Sequence, residues 1–195
     1  MKRSFDFVVA LLGLLILSPL LLIISLATLA TMGSPIFFRQ IRVGRGGVDF
    51  KIIKFRSMIR DRAGMAITTG KDTRITPFGR FLRRTKLDEL PQLFNVVSGD
   101  MSLVGPRPEV PQFVRLYTET QRRVLAVRPG LTDPASIVYR DEESVLARYG
   151  DPERAYIEKI MPAKLKMNLA YLEKAGFWTD FGLILKTLKR LSLNR

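Results

Sequence analysis

A long apolar stretch occupies the N-terminal part of the chain. No charged residue occurs from Phe7 to Phe38, and Leu, Ile, Val and Ala fill most of residues 7–32. Such a run has to be buried in lipid or in protein, and about 20 apolar residues suffice for a helix to cross a bilayer. A cleaved signal peptide would have a shorter apolar region and a clearer small-residue cleavage site. We therefore expect a retained membrane anchor.

A Ser-Pro pair, Ser18 and Pro19, lies near the middle of this stretch. Proline removes a helix hydrogen bond and clashes with the carbonyl four residues earlier. This predicts a kink or a break, with Ser18 placed to bond a freed backbone group. Each arm would be about 18 to 20 Å long against a hydrocarbon core of about 30 Å, so neither arm spans it alone. A kinked transmembrane helix is the alternative that periodicity leaves open.

The charges beside the stretch favour one of these two paths. Cytoplasmic segments next to a membrane helix carry an excess of Lys and Arg. Both flanks are basic here, with Lys2 and Arg3 before the stretch and Arg39, Arg42 and Arg45 after it. This pattern indicates a re-entrant helix over residues 1–34, which enters the membrane and returns to the same side.

The remaining pattern predicts a hairpin followed by helices. Residues 36–43 and 48–58 are rich in β-branched and aromatic side chains, and four turn-forming residues, 44–47, separate them. A loop is expected over 63–76. Helices are expected from Pro77, from Gln92, and over 109–127, 152–174 and 177–193. The last interleaves apolar and basic residues, which fits an interfacial helix and, equally, a surface helix packed on the core.

Composition restricts the chemistry. The 32 basic and 18 acidic residues give a net charge of +14, which indicates an anionic partner: lipid head groups, nucleic acid or a phosphorylated substrate. The chain has no Cys and no His. Disulfides, thiolate metal sites, the usual zinc ligand and the usual general base are therefore excluded, and acid-base work falls to Asp, Glu, Lys or Tyr.

An adjacent carboxylate pair, Asp88 and Glu89, precedes Pro91 at an expected helix entrance. Such a dipeptide is by itself most often a solvated helix start. Basic residues are expected around it, at Lys54, Arg56 and Arg83 and at Arg107 between two prolines. Together they indicate a diphosphate site in which cations and a divalent metal neutralise phosphoryl charge. Carboxylate ligands suit Mg²⁺, with Mn²⁺ as the alternative.

This arrangement permits direct attack by a carboxylate on phosphorus, which would divide a transfer into two displacements through an acyl phosphate. The glycine-rich segment 44–47 lacks the Gly-Lys-Ser/Thr ending of a Walker loop, so ATP binding of that type is not expected.

Six segments follow one another in order over nearly the whole chain. They are the anchor with Ser18-Pro19, Lys54-Phe55-Arg56-Ser57-Met58, Arg83 with Leu87-Asp88-Glu89-Leu90-Pro91-Gln92-Leu93-Phe94-Asn95, Gly99-Asp100-Met101-Ser102, Gly105-Pro106-Arg107-Pro108 and Arg128-Pro129-Gly130-Leu131-Thr132. This ordered set resembles the bacterial sugar transferases called monotopic phosphoglycosyl transferases. It is similar to their minimal form, with no additional transmembrane bundle and no fused domain.

The resemblance implies a reaction. Members transfer a phospho-sugar from a nucleotide diphosphate sugar, a UDP-sugar, to a polyprenol phosphate, usually undecaprenyl phosphate. UMP is released, and assembly of a surface glycan begins. By position, Asp88 would be the nucleophile that forms a covalent phospho-sugar intermediate and would contact Mg²⁺. Glu89 would assist by deprotonating the polyprenol phosphate.

The resemblance also assigns the other site residues. Lys54, Arg83 and Arg107 would contact phosphates, and Pro106 and Pro108 would fix Arg107. The membrane segment of the family is a re-entrant helix broken at the Ser-Pro pair. The implied location is the cytoplasmic face of the bacterial inner membrane, with membrane lipids as partners, and a homodimer is left open.

The expected fold class is therefore α+β and mainly helical. A re-entrant membrane helix over residues 1–34 precedes a small membrane-associated catalytic domain over 35–195, with a short β-hairpin and amphipathic interfacial helices. The segment 133–140 departs from the common family pattern, in which Arg-Pro-Gly-Ile-Thr is followed by Gly, an apolar residue, Ala-Gln-Val, a variable position and Gly-Arg; Arg140 aligns with this pattern, but Asp133, Pro134, Ser136 and Tyr139 do not. This departure leaves the sugar unassigned. A membrane-tethered basic module that binds anionic lipid or nucleic acid without catalysis is the alternative function, although few aromatic residues lie among the basic ones for base stacking.

Overall fold

The computed structural model describes residues 2–59 and 74–192, and the chain in these ranges is mostly helical. The helices are α1 (Lys2–Met32), α2 (Pro77–Thr85), α3 (Gln92–Ser98), α4 (Pro111–Val114), α5 (Glu119–Arg122), α6 (Pro134–Val138), α7 (Glu142–Leu146), α8 (Pro152–Ala155), α9 (Met161–Glu173) and α10 (Phe177–Ser192). The strands are β1 (Phe37–Val43), β2 (Asp49–Phe55), β3 (Ser102–Val104) and β4 (Gly130–Thr132). The α+β class expected from the sequence is confirmed.

Helix α1 is a single helix of 31 residues that contains Pro19. The predicted break is not seen as an end of the helix, and a kink at this position stays a prediction. The Ser18 hydroxyl donates a hydrogen bond of 2.8 Å to the Leu15 carbonyl oxygen. That carbonyl lies four residues before Pro19 and receives no N–H from the proline. The serine therefore compensates for the hydrogen bond that the proline removes, as the sequence predicted.

Most of α1 exposes apolar side chains, but both of its arms pack on the rest of the protein. Among the described residues, α1 is the helix long and apolar enough to cross a membrane. Ala10 belongs to one hydrophobic cluster with Leu93 and Val96, and Ile24 belongs to another with Phe55 and Leu82. The membrane segment thus packs on later parts of the chain, and the division into residues 1–34 and 35–195 stays a prediction.

The predicted hairpin is confirmed. Strands β1 and β2 are antiparallel, with Phe37 opposite Phe55 and Val43 opposite Asp49. The turn between them has positive φ at Gly46 (69°) and Gly47, a backbone conformation that glycine adopts without strain. The loop predicted over 63–76 lies largely outside the described residues; its end, Ile75, forms a bridge with Met58.

A second, parallel pair of strands was not predicted. Ser102 of β3 lies opposite Gly130 of β4, and Val104 lies opposite Thr132. The two segments approach closely at the end of this ladder, because a Cβ atom on Gly130 would lie 2.1 Å from the Gly105 nitrogen. Only glycine at both positions permits this contact, which sets the loop 105–108 against the start of β4.

The helix predicted over 109–127 was wrong as one element. The segment forms α4, α5 and a 3-10 turn, Arg123–Ala126. Thr118 is the N-cap of α5 and forms a capping box with Gln121, and these bonds start a new helix at a point where a continuous helix would have to pass. The segment predicted over 152–174 is helical as expected, with a π turn, Tyr156–Ile160, before Pro162.

The C-terminal helix was predicted over 177–193 and is observed as α10, which ends at Ser192. One face packs on the protein through Leu183 and Ile184. The other exposes large apolar side chains, among them Trp178, 79% exposed, together with Phe177 and Leu188. The alternative of a helix packed on the core is therefore confirmed, and the interfacial role of its exposed apolar face stays a prediction.

Candidate active site

The carboxylate pair lies in a tight 3-10 turn, Leu87–Glu89, between α2 and α3. Lys86, directly before the turn, has φ +59°, and Pro91 directly precedes α3 as its N-cap. The turn therefore reverses the chain within a few residues. Two adjacent carboxylates point into different surroundings as a result, and their contacts differ.

Glu89 is bound by two cations. The Lys54 ammonium donates a hydrogen bond of 3.0 Å to Glu89 Oε1. The Arg107 guanidinium contacts both carboxylate oxygens, with one nitrogen 3.1 Å from Oε2 and the other hydrogen-bonded to Oε1. A bidentate arginine contact of this kind fixes both groups. Lys54 and Arg107, predicted as phosphate ligands, thus both contact Glu89.

Asp88 is buried, and its Oδ1 atom has no hydrogen-bond partner among the described residues. Burial raises the pKa of the Asp88 carboxyl, and the charge of Glu89 raises it further, to about 6, against the opposing charges of Lys54, Lys86 and Arg83. A buried polar atom without a partner is costly and calls for an explanation, which a bound ligand can supply. Asp88 thus lines the cavity with a carboxylate oxygen that no described residue engages.

The pKa values of Glu89 and Lys54, which bind each other, are both lowered, but for different reasons. Burial opposes the charge of Glu89, but Arg107 and Lys54 outweigh it and hold the pKa of Glu89 well below its usual range. Burial lowers the pKa of the Lys54 ammonium to about 8, although Glu89 favours the charged form. Glu89 therefore remains ionised, whereas Lys54 can lose its proton at mildly alkaline pH.

Arg83 lies on α2 and makes other contacts. Its guanidinium forms an ion pair with Glu143 of α7 and contacts the Met58 sulfur at 3.4 Å. It lines the same cavity as Asp88 and Glu89, and its charge lowers the pKa of Asp88. The structure thus brings Arg83 to the site, paired with a carboxylate of α7 that also lines the cavity.

The loop that carries Arg107 is fixed by backbone contacts on both sides. The Pro106 carbonyl accepts a hydrogen bond of 3.0 Å from the Gly130 N–H, and the Pro108 carbonyl accepts one of 3.1 Å from Arg42. Arg42 also donates to Glu109 at 3.1 Å. The sequence had indicated Arg42 only as a charge beside the membrane segment, because its partners lie far away along the chain.

One large cavity of about 1790 Å³ joins these groups. Among the predicted site residues, Lys54, Arg83, Asp88, Glu89 and Arg107 line it, whereas Ser18 and Pro19 in α1 do not. Apolar side chains of α10 form another part of its wall, including Ile184 and Leu188. The cavity therefore has basic residues in one part of its lining and apolar residues of α10 in another, a combination that suits an amphipathic phosphate ester.

The segment 133–140 forms part of this wall. Asp133 is fully buried and is the N-cap of α6, where its Oδ1 accepts hydrogen bonds from the Ala135 and Ser136 N–H groups at 2.8 and 3.1 Å. Ser136, Ile137 and Tyr139 line the cavity. The departure from the common family pattern therefore builds a capped helix at the cavity, in a position to affect which ligand fits.

The donor set fits a hard divalent cation with few protein ligands. Asp88 Oδ1 is free, whereas both oxygens of Glu89 are engaged by cations. In the described ranges no group of three or more Asp, Glu, His or Cys residues converges. Mg²⁺ commonly binds through one or two carboxylates, substrate phosphates and water, and so does not need a larger cluster.

The family model for bacterial sugar transferases matches residues 1–194. The chain belongs to the bacterial sugar transferase family. It is 38% identical over 197 residues to a UDP-glucose:undecaprenyl-phosphate glucose-1-phosphate transferase of Xanthomonas campestris pv. campestris, covering 97% of this chain and 38% of that protein. It is 34% identical over 191 residues to the uncharacterized sugar transferase EpsL of Bacillus subtilis (strain 168), covering 98% of this chain and 87% of that protein.

Relatives within the family differ in the sugar that their names state. A UDP-N-acetylgalactosamine-undecaprenyl-phosphate N-acetylgalactosaminephosphotransferase of Aeromonas hydrophila is 35% identical over 196 residues, covering 97% of this chain and 43% of that protein. The chain thus spans about two fifths of the length of this relative and of the Xanthomonas one. Similar identities to enzymes for glucose and for N-acetylgalactosamine leave the sugar unassigned.

Proposed function

We propose that this bacterial sugar transferase transfers a phospho-sugar from a UDP-sugar to undecaprenyl phosphate and releases UMP. One observation carries the proposal: a buried carboxylate, Asp88, has a free oxygen in a cationic cavity, while its neighbour Glu89 is neutralised by Lys54 and Arg107. The names of the relatives support the donor and acceptor classes. They do not support the alternative of a non-catalytic basic module.

The reaction proceeds in two displacements. In the first, an Asp88 oxygen attacks the phosphorus that bears the sugar, and the bond from this phosphorus to the UMP oxygen breaks, with its electron pair leaving on UMP. In the second, an oxygen of the polyprenol phosphate attacks the same phosphorus, and the Asp88 carboxylate leaves. Each displacement needs an ionised attacking group and nearby cations that neutralise the developing charge.

Glu89 takes a positioning role in this proposal. The resemblance had implied that it deprotonates the polyprenol phosphate, but a carboxylate bound by two cations and with a pKa well below its usual range is a weak base. Its contacts instead orient Lys54 and Arg107 beside Asp88. Phosphate oxygens of the substrate then meet cations that are already in place.

Asp88 would hold Mg²⁺ through its free oxygen, together with diphosphate oxygens and water. The bound metal would supply charge neutralisation on the transferring phosphoryl group. Mn²⁺, which prefers the same oxygen ligands, is the alternative.

The contacts at the ends of α1 support a membrane anchor whose two ends lie on one side. Lys2 contacts the Val104 carbonyl oxygen and Asp180 near the start of the helix, and Arg56 contacts the carbonyl oxygens of Met32 and Gly33 near its end. A domain that binds both ends is hard to reconcile with a helix whose ends lie on opposite sides. We place this domain at the cytoplasmic face of the inner membrane, because the flanks are basic.

An activity assay with a matched carboxylate variant tests the proposal. Wild-type protein in detergent should release UMP from at least one of a panel of UDP-sugars when undecaprenyl phosphate is present. Asp88→Asn should give essentially no product. Asp49→Asn removes an exposed carboxylate on the hairpin and should behave as wild type. Turnover by Asp88→Asn at the wild-type rate would remove the basis of the assignment.

The covalent step has its own test. Wild-type protein quenched after incubation with the donor alone should yield a peptide containing Asp88 with the added mass of a phospho-sugar. Modification of another residue would contradict the role of Asp88 and leave the overall reaction standing.

A further inference from the structure

Lys86 has a backbone conformation that lysine rarely adopts. Its φ of +59° makes it the one non-glycine residue with positive φ in the described ranges. The residue ends α2 and starts the turn that carries Asp88 and Glu89. Glycine or asparagine would occupy this position with less strain. The backbone N–H of Lys86 caps α2 at the carbonyls of Arg83 and Leu82, which explains the conformation but not the choice of lysine, so its side chain is the feature to explain.

The side chain of Lys86 lies at the site. It lines the large cavity together with Asp88 and Glu89. Its charge is among those that act on both carboxylates and favour their ionised forms. Lys86 therefore belongs to the small group of cations that surround the reactive oxygen, although none of the motifs identified in the sequence includes it.

The other cations around Asp88 have carboxylate partners. Lys54 binds Glu89, and Arg83 binds Glu143. Lys86 has no hydrogen bond or ion pair from its side chain to any described residue. Its ammonium is thus a cation beside Asp88 that a substrate can engage without displacing a carboxylate.

We propose that Lys86 binds the phosphoryl group that Asp88 receives, as a phosphate ligand in addition to Lys54, Arg83 and Arg107. This inference rests on the proposed function for the identity of that group. The ammonium donates to phosphoryl oxygens while charge develops on them, and the strained backbone is retained because it directs the side chain into the cavity. Charge-assisted contacts of this kind are the strong ones in phosphate sites.

Three substitutions separate the charge of Lys86 from its backbone. Lys86→Gln should lower kcat/KM for the UDP-sugar about 10- to 100-fold, whereas Lys86→Arg should retain most of the activity. Lys86→Gly relieves the strain, so it should raise Tm while losing as much activity as Lys86→Gln. If Lys86 acted only on the fold, activity would follow stability, and Lys86→Gly would be at least as active as wild type.

Lys51→Gln is the matched control, since it removes the same charge from an exposed position of β2 that does not line the cavity. It should leave kcat/KM unchanged. Wild-type kcat/KM in Lys86→Gln would overturn the inference, and so would equal losses in Lys86→Gln and Lys51→Gln.

Binding of inorganic pyrophosphate, measured by calorimetry, distinguishes failure of this inference from failure of the proposed function. Lys86→Gln should bind pyrophosphate about tenfold more weakly than wild type. A wild type that releases no UMP would contradict the proposed function. Equal pyrophosphate affinity in wild type and Lys86→Gln would contradict the role of Lys86, whatever the protein transfers.

Discussion

At the scale of single residues, adjacent carboxylates differ because their neighbours differ. Asp88 has a free oxygen and a raised pKa, whereas Glu89 is bound by Lys54 and Arg107. The two side chains have similar chemistry, so the division of labour comes from the turn that directs them to different surroundings. It can therefore be tested by removing one charge at a time.

Glu89→Gln tests whether Glu89 positions the cations or acts as a base. A positioning role predicts slow UMP release in the first turnover, because Lys54 and Arg107 lose their partner before any acceptor is needed. It also predicts a loss of about 3 kcal/mol in the free energy of unfolding, since one side of a buried ion pair remains uncompensated. Rapid-quench measurement of UMP released by Glu89→Gln in the absence of acceptor distinguishes the two roles. A normal first burst followed by arrested turnover would instead support the base.

The lowered pKa of Lys54 predicts that activity is lost at alkaline pH. Its pKa is lowered to about 8 by burial, so the ammonium is present below that pH and is lost as pH rises through it. Phosphate binding then weakens, and kcat/KM should fall between about pH 7 and about pH 9. Lys54→Arg, whose guanidinium stays protonated, should keep its kcat/KM constant over this range. If kcat/KM of Lys54→Arg falls with rising pH as it does in wild type, the group that titrates is not Lys54.

At the scale of elements, the site depends on the contact between the loop that follows β3 and the first residue of β4. The Gly130 N–H donates to the Pro106 carbonyl oxygen at 3.0 Å. Arg107 follows directly, and it reaches Glu89 from this loop. The parallel strand pair therefore determines where the arginine lies, and the proline on each side limits the backbone between these anchor points.

Gly130→Ala should disrupt this contact. Its Cβ would lie 2.1 Å from the Gly105 nitrogen and 2.3 Å from the Gly105 oxygen, so the backbone must shift. We expect a loss of about 2 to 3 kcal/mol in the free energy of unfolding, together with reduced activity. Gly150→Ala is the control, because a Cβ there meets no atom within 4 Å. Equal unfolding midpoints in denaturant for the two variants would contradict this reading.

Local patterns and long-range contacts explain which elements could be predicted. The hairpin, α2, α3 and α10 have their signals within their own sequence: turn glycines, a proline at a helix start, and an amphipathic period. The pair β3 and β4 has three-residue strands that are far apart along the chain, so no local period reveals it. The continuous helix expected over 109–127 was wrong for a different reason, since the local capping signal at Thr118 and Gln121 starts a new helix and overrides the apolar pattern.

The same distinction applies to the site. The sequence motifs predicted five residues of the site that all line one cavity: Lys54, Arg83, Asp88, Glu89 and Arg107. Their roles stay predictions. The pairing of Arg83 with Glu143 could not be inferred, because it depends on how α7 packs across the cavity. Lys86 was missed because its signal is a backbone angle, which has no counterpart in a residue pattern.

At the scale of the whole molecule, the membrane segment and the site form one assembly. The start of α1 contacts α10 through the ion pair between Lys2 and Asp180, and Tyr171 donates to the same carboxylate at 2.5 Å. The end of α1 contacts Arg56, which directly follows β2. Because α10 and β2 also contribute to the cavity wall, the membrane segment is connected to the site at both ends.

This connection makes the topology testable in cells. The chain has no Cys, so single substitutions give a clean signal. Ser4→Cys places a thiol at an exposed position near the start of the membrane segment, and Asp49→Cys places one at an exposed position of the hairpin that follows its end. If both ends lie on the cytoplasmic side, a membrane-impermeant maleimide should label neither thiol in intact spheroplasts and both thiols in inverted vesicles.

A spanning helix predicts a different pattern, in which one thiol reacts in each preparation. That result would contradict the re-entrant path, and it would conflict with contacts of one domain at both ends of α1. Pro19→Ala tests the cause of the path separately. Helix α1 has 31 residues and is about 46 Å long, enough to cross a core of about 30 Å, so its length alone does not make it return to the same side. A shift of the Ser4→Cys label to the outside in the Pro19→Ala background would show that the proline determines which path the helix takes.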